Sequence, residues 1–168
     1  MLELNHRLSK SEVVNYAKEL HNDEYGISCL CNTMLTSGEE RISYNAAWIL
    51  FHLSKEDKEI YLATFYDRIA DMAMSSDLNI RRGLILSIIV DMPIGDNFRT
   101  DLMDFCLARM LDRRECDSTR SVMIKLAAKM CRPFPELKNE LTANLEFLSE
   151  EPKRSISTAS KNALKYLK

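Results

Sequence analysis

Glycine and proline are scarce, with 4 of each in 168 residues. β-Sandwiches and doubly wound α/β domains turn the chain often and draw on both residues to do it, so those folds are excluded. A long hydrophobic run is also missing. The longest, Gly83-Leu-Ile-Leu-Ser-Ile-Ile-Val90, falls far short of the roughly 20 residues a membrane-spanning helix needs. The opening Met-Leu-Glu-Leu-Asn-His-Arg has neither a basic nor an apolar signal region, so no export is expected. Neither sign of charge is in surplus: 23 Lys+Arg face 25 Asp+Glu, for a net charge of −2. Strong non-specific binding of nucleic acid normally needs a large basic excess, which disfavours that partner. The 5 cysteines are an odd number, which argues against a disulfide framework. In a chain without an export signal they are expected to be reduced and mostly buried, and the cytoplasm is the expected location.

What is present is helical. Hydrophobic residues make up 46% and charged residues 29%, a mixture able to build an apolar core. Apolar residues recur three and four apart, predicting helices over 10–21, 24–36, 39–53, 56–74, 78–92, 97–112, 118–131, 135–149 and 155–167. Short polar connectors separate them: Ser37-Gly38, Ser75-Ser76-Asp77, Met92-Pro93, Gly95-Asp96-Asn97, Cys116-Asp117-Ser118 and Arg132-Pro133. Their Asp and Ser side chains are expected to cap the helices that follow. No long linker interrupts the series, so residues 1–168 are expected to form a single domain.

Alternate helices superpose. Ala46-…-Ile49-Leu50-…-Leu53 matches Ile85-…-Ile88-Ile89-…-Met92, then Met123-…-Leu126-Ala127-…-Met130, then Ser160-…-Ala163-Leu164-…-Leu167, at offsets of 39, 38 and 37. A period near 38 residues carried by helix pairs marks an α-solenoid, because one pair cannot bury its own apolar face and must stack on the next. Two of these helices open alike, with Asp77-Leu-Asn-Ile-Arg81 and Asp117-Ser-Thr-Arg120. Asp-x-x-hydrophobic-Arg followed by small and aliphatic residues resembles the HEAT repeat, and 77–92 is the nearest stretch. The pattern extends over roughly 39–168. It departs in the third copy, which is one residue short, and in the last, where Ile156-Ser157 stands at the arginine position. The resemblance implies an all-α, right-handed α-α superhelix of about four helix pairs behind a leading helix.

No catalytic constellation emerges. Cys29 and Cys31, two apart on a helix, point about 200° apart and cannot chelate together. His6, His21 and His52 share no spacing and have no adjacent nucleophile motif, and the carboxylates of 56–59 and 67–71 read as a solvated face. No Gly-rich phosphate loop occurs. Hence no catalytic residue, metal or cofactor is expected.

In HEAT-like solenoids the second helix of each pair lines the concave side. The register carries Trp48 and His52 onto Ser87 and Asp91, then Lys125 and Lys129, then Asn162 and Tyr166. Each pair lies four apart and so shares one helical stripe. The alternative for Trp48, the only tryptophan, is packing between helices. Arg81, Arg82 and Arg120, near connectors, form a possible anion site; neighbouring acids such as Asp77, Asp112, Glu115 and Asp117 offer them structural pairing instead. Lys153, Arg154, Lys161, Lys165 and Lys168 make a basic end without acids, suited either to a helix C-terminus or to an acidic ligand. The expected function is a non-catalytic scaffold binding a protein or peptide through the concave stripe, as a monomer or weak dimer without a membrane. The alternative is a HEAT-like DNA-binding protein or a DNA alkylation repair glycosylase, with Trp48, Asp91, Lys125 and Lys129 supplying its aromatic, acidic and basic groups.

Overall fold

The three–four spacing of apolar residues produces ten α-helices and two short 3-10 turns among the described residues, with no strand. The structure is a computed structural model and describes residues 3–75, 82–94 and 98–168. It divides into two compact units, Met1–Pro93 and Ile94–Lys168.

The first unit holds α1 (Lys10–Glu19), α2 (Glu24–Thr36), α3 (Glu40–His52), α4 (Lys55–Tyr61), α5 (Tyr66–Met74) and α6 (Arg82–Asp91). Ser9 starts α1 with a capping box: its hydroxyl accepts from the Glu12 N–H while the Glu12 carboxylate accepts from the Ser9 N–H. Asp23 and Ser54 cap α2 and α4 in the simpler way. Helix α2 packs on α3, α5 on α6, and the second helices α3 and α6 on each other. Helix α1 lies against α3. Ile49, Leu50, Ile85, Ile88 and Ile89 are all buried in this core.

The second unit holds α7 (Thr100–Met110), α8 (Asp117–Cys131), α9 (Lys138–Ser149) and α10 (Arg154–Tyr166). Helix α7 packs on α8 and α9 on α10, while α8 and α10 are neighbours. Leu126, Leu141, Leu145, Leu148 and Ile156 lie in its core.

Several local expectations need correction: α3 is preceded by Glu39 at its capping position, without a side-chain cap, and the helix expected from 135 opens as a 3-10 turn over Pro135–Leu137. The continuous helix expected over 56–74 is broken: α4 stops at Tyr61, a 3-10 turn covers Ala63–Phe65, and α5 begins at Tyr66. β-Branched Thr64 followed by Phe65 and Tyr66 lowers helix propensity there, and a tighter turn re-aims the second half. The expected cap at Cys116-Asp117-Ser118 is also absent. Cys116 occupies the capping position without a side-chain bond, and the helix takes in Asp117, whose carboxylate lies in the first turn facing the positive end of the dipole.

Candidate functional site

A repeated internal bond defines each helix pair. The Ser43 hydroxyl donates to the Met34 carbonyl at 2.7 Å. Arg82 Nε donates to the Ala73 carbonyl at 3.0 Å and its Nη2 to the Ser75 carbonyl at 2.7 Å. Arg120 Nε donates to the Met110 carbonyl at 2.8 Å, and the Ser157 hydroxyl to the Ser149 carbonyl at 2.7 Å. Four pairs thus use one device: a donor near the start of the second helix satisfies a carbonyl at or just past the end of the first, where intrahelical donors have run out. Positions 43, 82, 120 and 157 follow the core register residue for residue. The arginine of the second copy is therefore Arg82, one place beyond Arg81, which lies outside the described residues.

This geometry also shows how the arginines proposed for an anion are used. Arg82 and Arg120 are almost completely buried. Besides Met110, Arg120 holds Glu151 through Nη1 at 3.2 Å and Nη2 at 2.8 Å, and Asp117 lies at 3.6 Å. The hydrogen bonds from Arg120 keep the Glu151 carboxyl below the usual carboxylate range against the opposing effect of burial, and Arg113 adds to them. Structural pairing occupies both guanidinium groups.

The stripe positions all reach solvent. Trp48, His52, Ser87, Asp91 and Lys129 are half-buried, while Lys125, Asn162 and Tyr166 are exposed. The next residue in each copy (Ile49, Ile88, Leu126 and Ala163) is buried. Within the first unit the stripe runs along α3 and α6. Tyr44, Trp48 and His52 form an aromatic ladder with ring centroids 6.0 and 6.5 Å apart, inside the range of favourable ring contact. Burial, with Lys10 and Lys58 adding their positive charge, lowers the His52 pKa below its ordinary value. Ser87 donates back to the Gly83 carbonyl, and Asp91 accepts from the buried Lys58 ammonium at 2.7 Å. In the second unit the Arg132 guanidinium lies 5.4 Å from the centre of the Tyr166 ring.

Sequence reasoning missed a cleft beside the stripe. This cleft of about 590 Å³ is lined by Arg7, Leu8, Ser9, Lys10, Arg41, Tyr44, Asn45 and Trp48. Its outer wall is the segment before α1, anchored by buried Leu4 and Leu8. The buried Asn45 amide donates to the carbonyls of Leu4 at 2.9 Å and His6 at 2.7 Å, tying that wall to α3. The α3 side was within reach of the register, since Arg41, Tyr44, Trp48 and His52 are spaced three, four and four apart. The other wall has no helical period and left no such signal.

The cysteines and His21 lie outside the lining of the cleft. Cys29 is exposed and Cys31 buried, on opposite faces of α2, and burial pushes the Cys31 thiol up to about 12. His21 Nδ1 lies 3.0 Å from Asp57 Oδ2, and Asp57 also accepts from the Ser54 hydroxyl and the Asn22 N–H. Asn22 has a φ of 61°, a left-handed conformation that asparagine tolerates well. Among the described residues no cluster of His, Cys, Asp and Glu is arranged to hold a metal, and no helix is long and apolar enough to cross a membrane.

The profile of the HEAT repeat domain matches residues 2–167. The chain belongs to the HEAT repeat family. The all-α fold and the repeat resemblance are thereby established, and the helix pairs of both units are HEAT-type pairs. Neither the curated proteins nor the solved structures contain a match to the chain.

Proposed function

We propose that this HEAT-repeat chain is a non-catalytic scaffold that binds a protein or peptide partner through the exposed ridges of its second helices, with Trp48 as the anchor in the first unit. One observation carries the reading: the only tryptophan stands half-exposed beside Tyr44 in a cleft, one residue from the buried Ile49. Tryptophan and tyrosine in such partly enclosed places supply large contact area at little entropic cost, and they dominate binding hot spots. The DNA repair alternative has weaker support. Asp91, its acidic group, is held by Lys58, and the first unit carries 9 basic against 14 acidic residues over 1–93.

A random-peptide library selected against the full chain tests the proposal. Enriched peptides are expected to shift Trp48 fluorescence and to lose about 1–2 kcal/mol of binding to Trp48→Ala, with the fold of that variant checked by circular dichroism. Failure to enrich any peptide, or equal affinity for Trp48→Ala, overturns it.

A further inference from the structure

The cleft carries a chemical preference that the scaffold reading leaves open. Three cations line it: Arg7, Lys10 and Arg41. All three are exposed, and among the described residues none has a hydrogen-bond or ion-pair partner for its side chain. Most other cations of the first unit are engaged: Lys55 with Glu59, Lys58 with Asp91, Arg68 with Asn32, and Arg82 with Ala73 and Ser75. Lys18 is the other described cation there without a partner, and it lies off the cleft. No carboxylate lines the cleft. Glu12, next to its rim, is taken up by Ser9 and lies 3.6 Å from His6. Burial is the main cause of the lowered His52 pKa, and Lys10 adds its positive charge to it.

We infer that the cleft between the leading segment and α3 takes an acidic stretch of a partner protein, with Arg7, Lys10 and Arg41 holding its carboxylates and Tyr44 and Trp48 packing against an apolar side chain beside them. This rests on the scaffold reading and names the partner's chemistry. A peptide fits better than a nucleic acid because the positive field is confined. Beyond a screening length of about 8 Å, the surrounding unit is acidic, with 14 acidic residues against 9 basic over 1–93. A long phosphate backbone would extend past the three cations into a unit of net negative charge, whereas a short acidic stretch needs no more than those three. The mixed lining suits a sequence in which acids alternate with apolar residues, since an aromatic wall gives nothing to a purely polar chain.

The peptide library and a synthetic peptide alternating glutamate with leucine and phenylalanine test this together. Trp48, being the only tryptophan, reports from the cleft itself. Enriched library sequences are expected to be rich in Asp and Glu. The synthetic peptide is expected to change Trp48 fluorescence, to bind more weakly at high salt, and to lose about tenfold in affinity to Arg7→Gln/Lys10→Gln/Arg41→Gln, summing three exposed ion pairs. Lys18→Gln serves as the control and is expected to bind like the wild type. All four positions are exposed and their side chains support no internal bond, so the variants are expected to fold, as circular dichroism checks. Enriched peptides without acidic bias that bind the triple variant equally overturn the inference and leave the scaffold reading standing. Absence of any enriched peptide overturns both. Tighter binding at the cleft by a lysine-substituted peptide or by a short DNA duplex overturns the acidic-peptide assignment.

Discussion

Replacing Arg120 by methionine is expected to destabilise the protein by about 3 kcal/mol, because it removes one partner of a buried charge pair while roughly keeping the volume. The side chain is almost completely buried and makes three hydrogen bonds, to the Met110 carbonyl and both Glu151 oxygens. After substitution the Glu151 carboxylate, itself nearly buried, keeps only Arg113 at 3.7 Å among the described residues. That residual contact places the loss at the lower end of the 3–5 kcal/mol typical for breaking such a pair. Ser43→Ala tests the same repeat position with a neutral hydroxyl. It leaves the Met34 carbonyl without its 2.7 Å donor and is expected to cost about 1 kcal/mol. Urea unfolding followed by circular dichroism measures both. With an m value of about 1–3 kcal/mol/M, the Arg120→Met midpoint falls by about 1 M or more. Arg120→Met combined with Glu151→Gln is expected to cost less than the sum of the two single changes, since each removes the other's unpaired charge. An Arg120→Met loss below about 1 kcal/mol, or one no larger than that of Ser43→Ala, would refute the argument that the charged copies of this bond carry more than the neutral ones.

Three further outcomes are expected. Ile88→Ala, in the core of α6, should cost about 2–5 kcal/mol, and Leu167→Ala, just past α10, should cost less because a chain end frays locally; equal losses in thermal unfolding would count against stability shared between neighbouring repeats. Ser160, buried in α10 with no hydrogen-bond partner for its hydroxyl among the described residues, should gain about 0.5–1 kcal/mol on change to alanine, and a loss of stability would show a partner exists. The hydrogen bond to Asp57 raises the His21 pKa above its ordinary 6.5, so the stabilisation from His21 is complete below that value and is lost as pH rises through the folded-state pKa. Burial pushes the Asp57 carboxyl up, but hydrogen bonds from His21, Ser54 and Asn22 outweigh it and hold it below 3.8, so its contribution is present above that value and lost as pH falls through the folded-state pKa. Stability should therefore peak between these limits in a pH series of melting temperatures, and His21→Gln should remove the alkaline decline and also weaken the acid one, since Asp57 loses one of its three donors while Ser54 and Asn22 remain.

The repeat was legible in the sequence because Ile49, Ile88, Leu126 and Ala163 occupy equivalent buried positions, and burial leaves a periodic trace. The same register points to Arg82, since 43, 82, 120 and 157 keep its offsets, whereas the short Asp-to-Arg motif taken alone points to Arg81. The break at 62–65 was hidden because buried Leu62 and Ile69 are seven apart, an interval that an unbroken helix would also give. The outer wall of the cleft was hidden for a different reason. It is held by one buried amide meeting two backbone carbonyls, and backbone acceptors are the same at every residue, so they write nothing into the sequence.

That tether has a chemical vulnerability. The wall formed by residues 4–8 is joined to α3 by hydrogen bonds from a single nitrogen atom, Asn45 Nδ2. Hydrolysis of this amide to a carboxylate, a change of about one dalton, would replace the donor with negative charge facing the oxygens of Leu4 and His6, turning two attractions into two repulsions. Such a change would leave the apolar half of the tether, buried Leu4 and Leu8, to hold the wall alone against a charge facing its carbonyls.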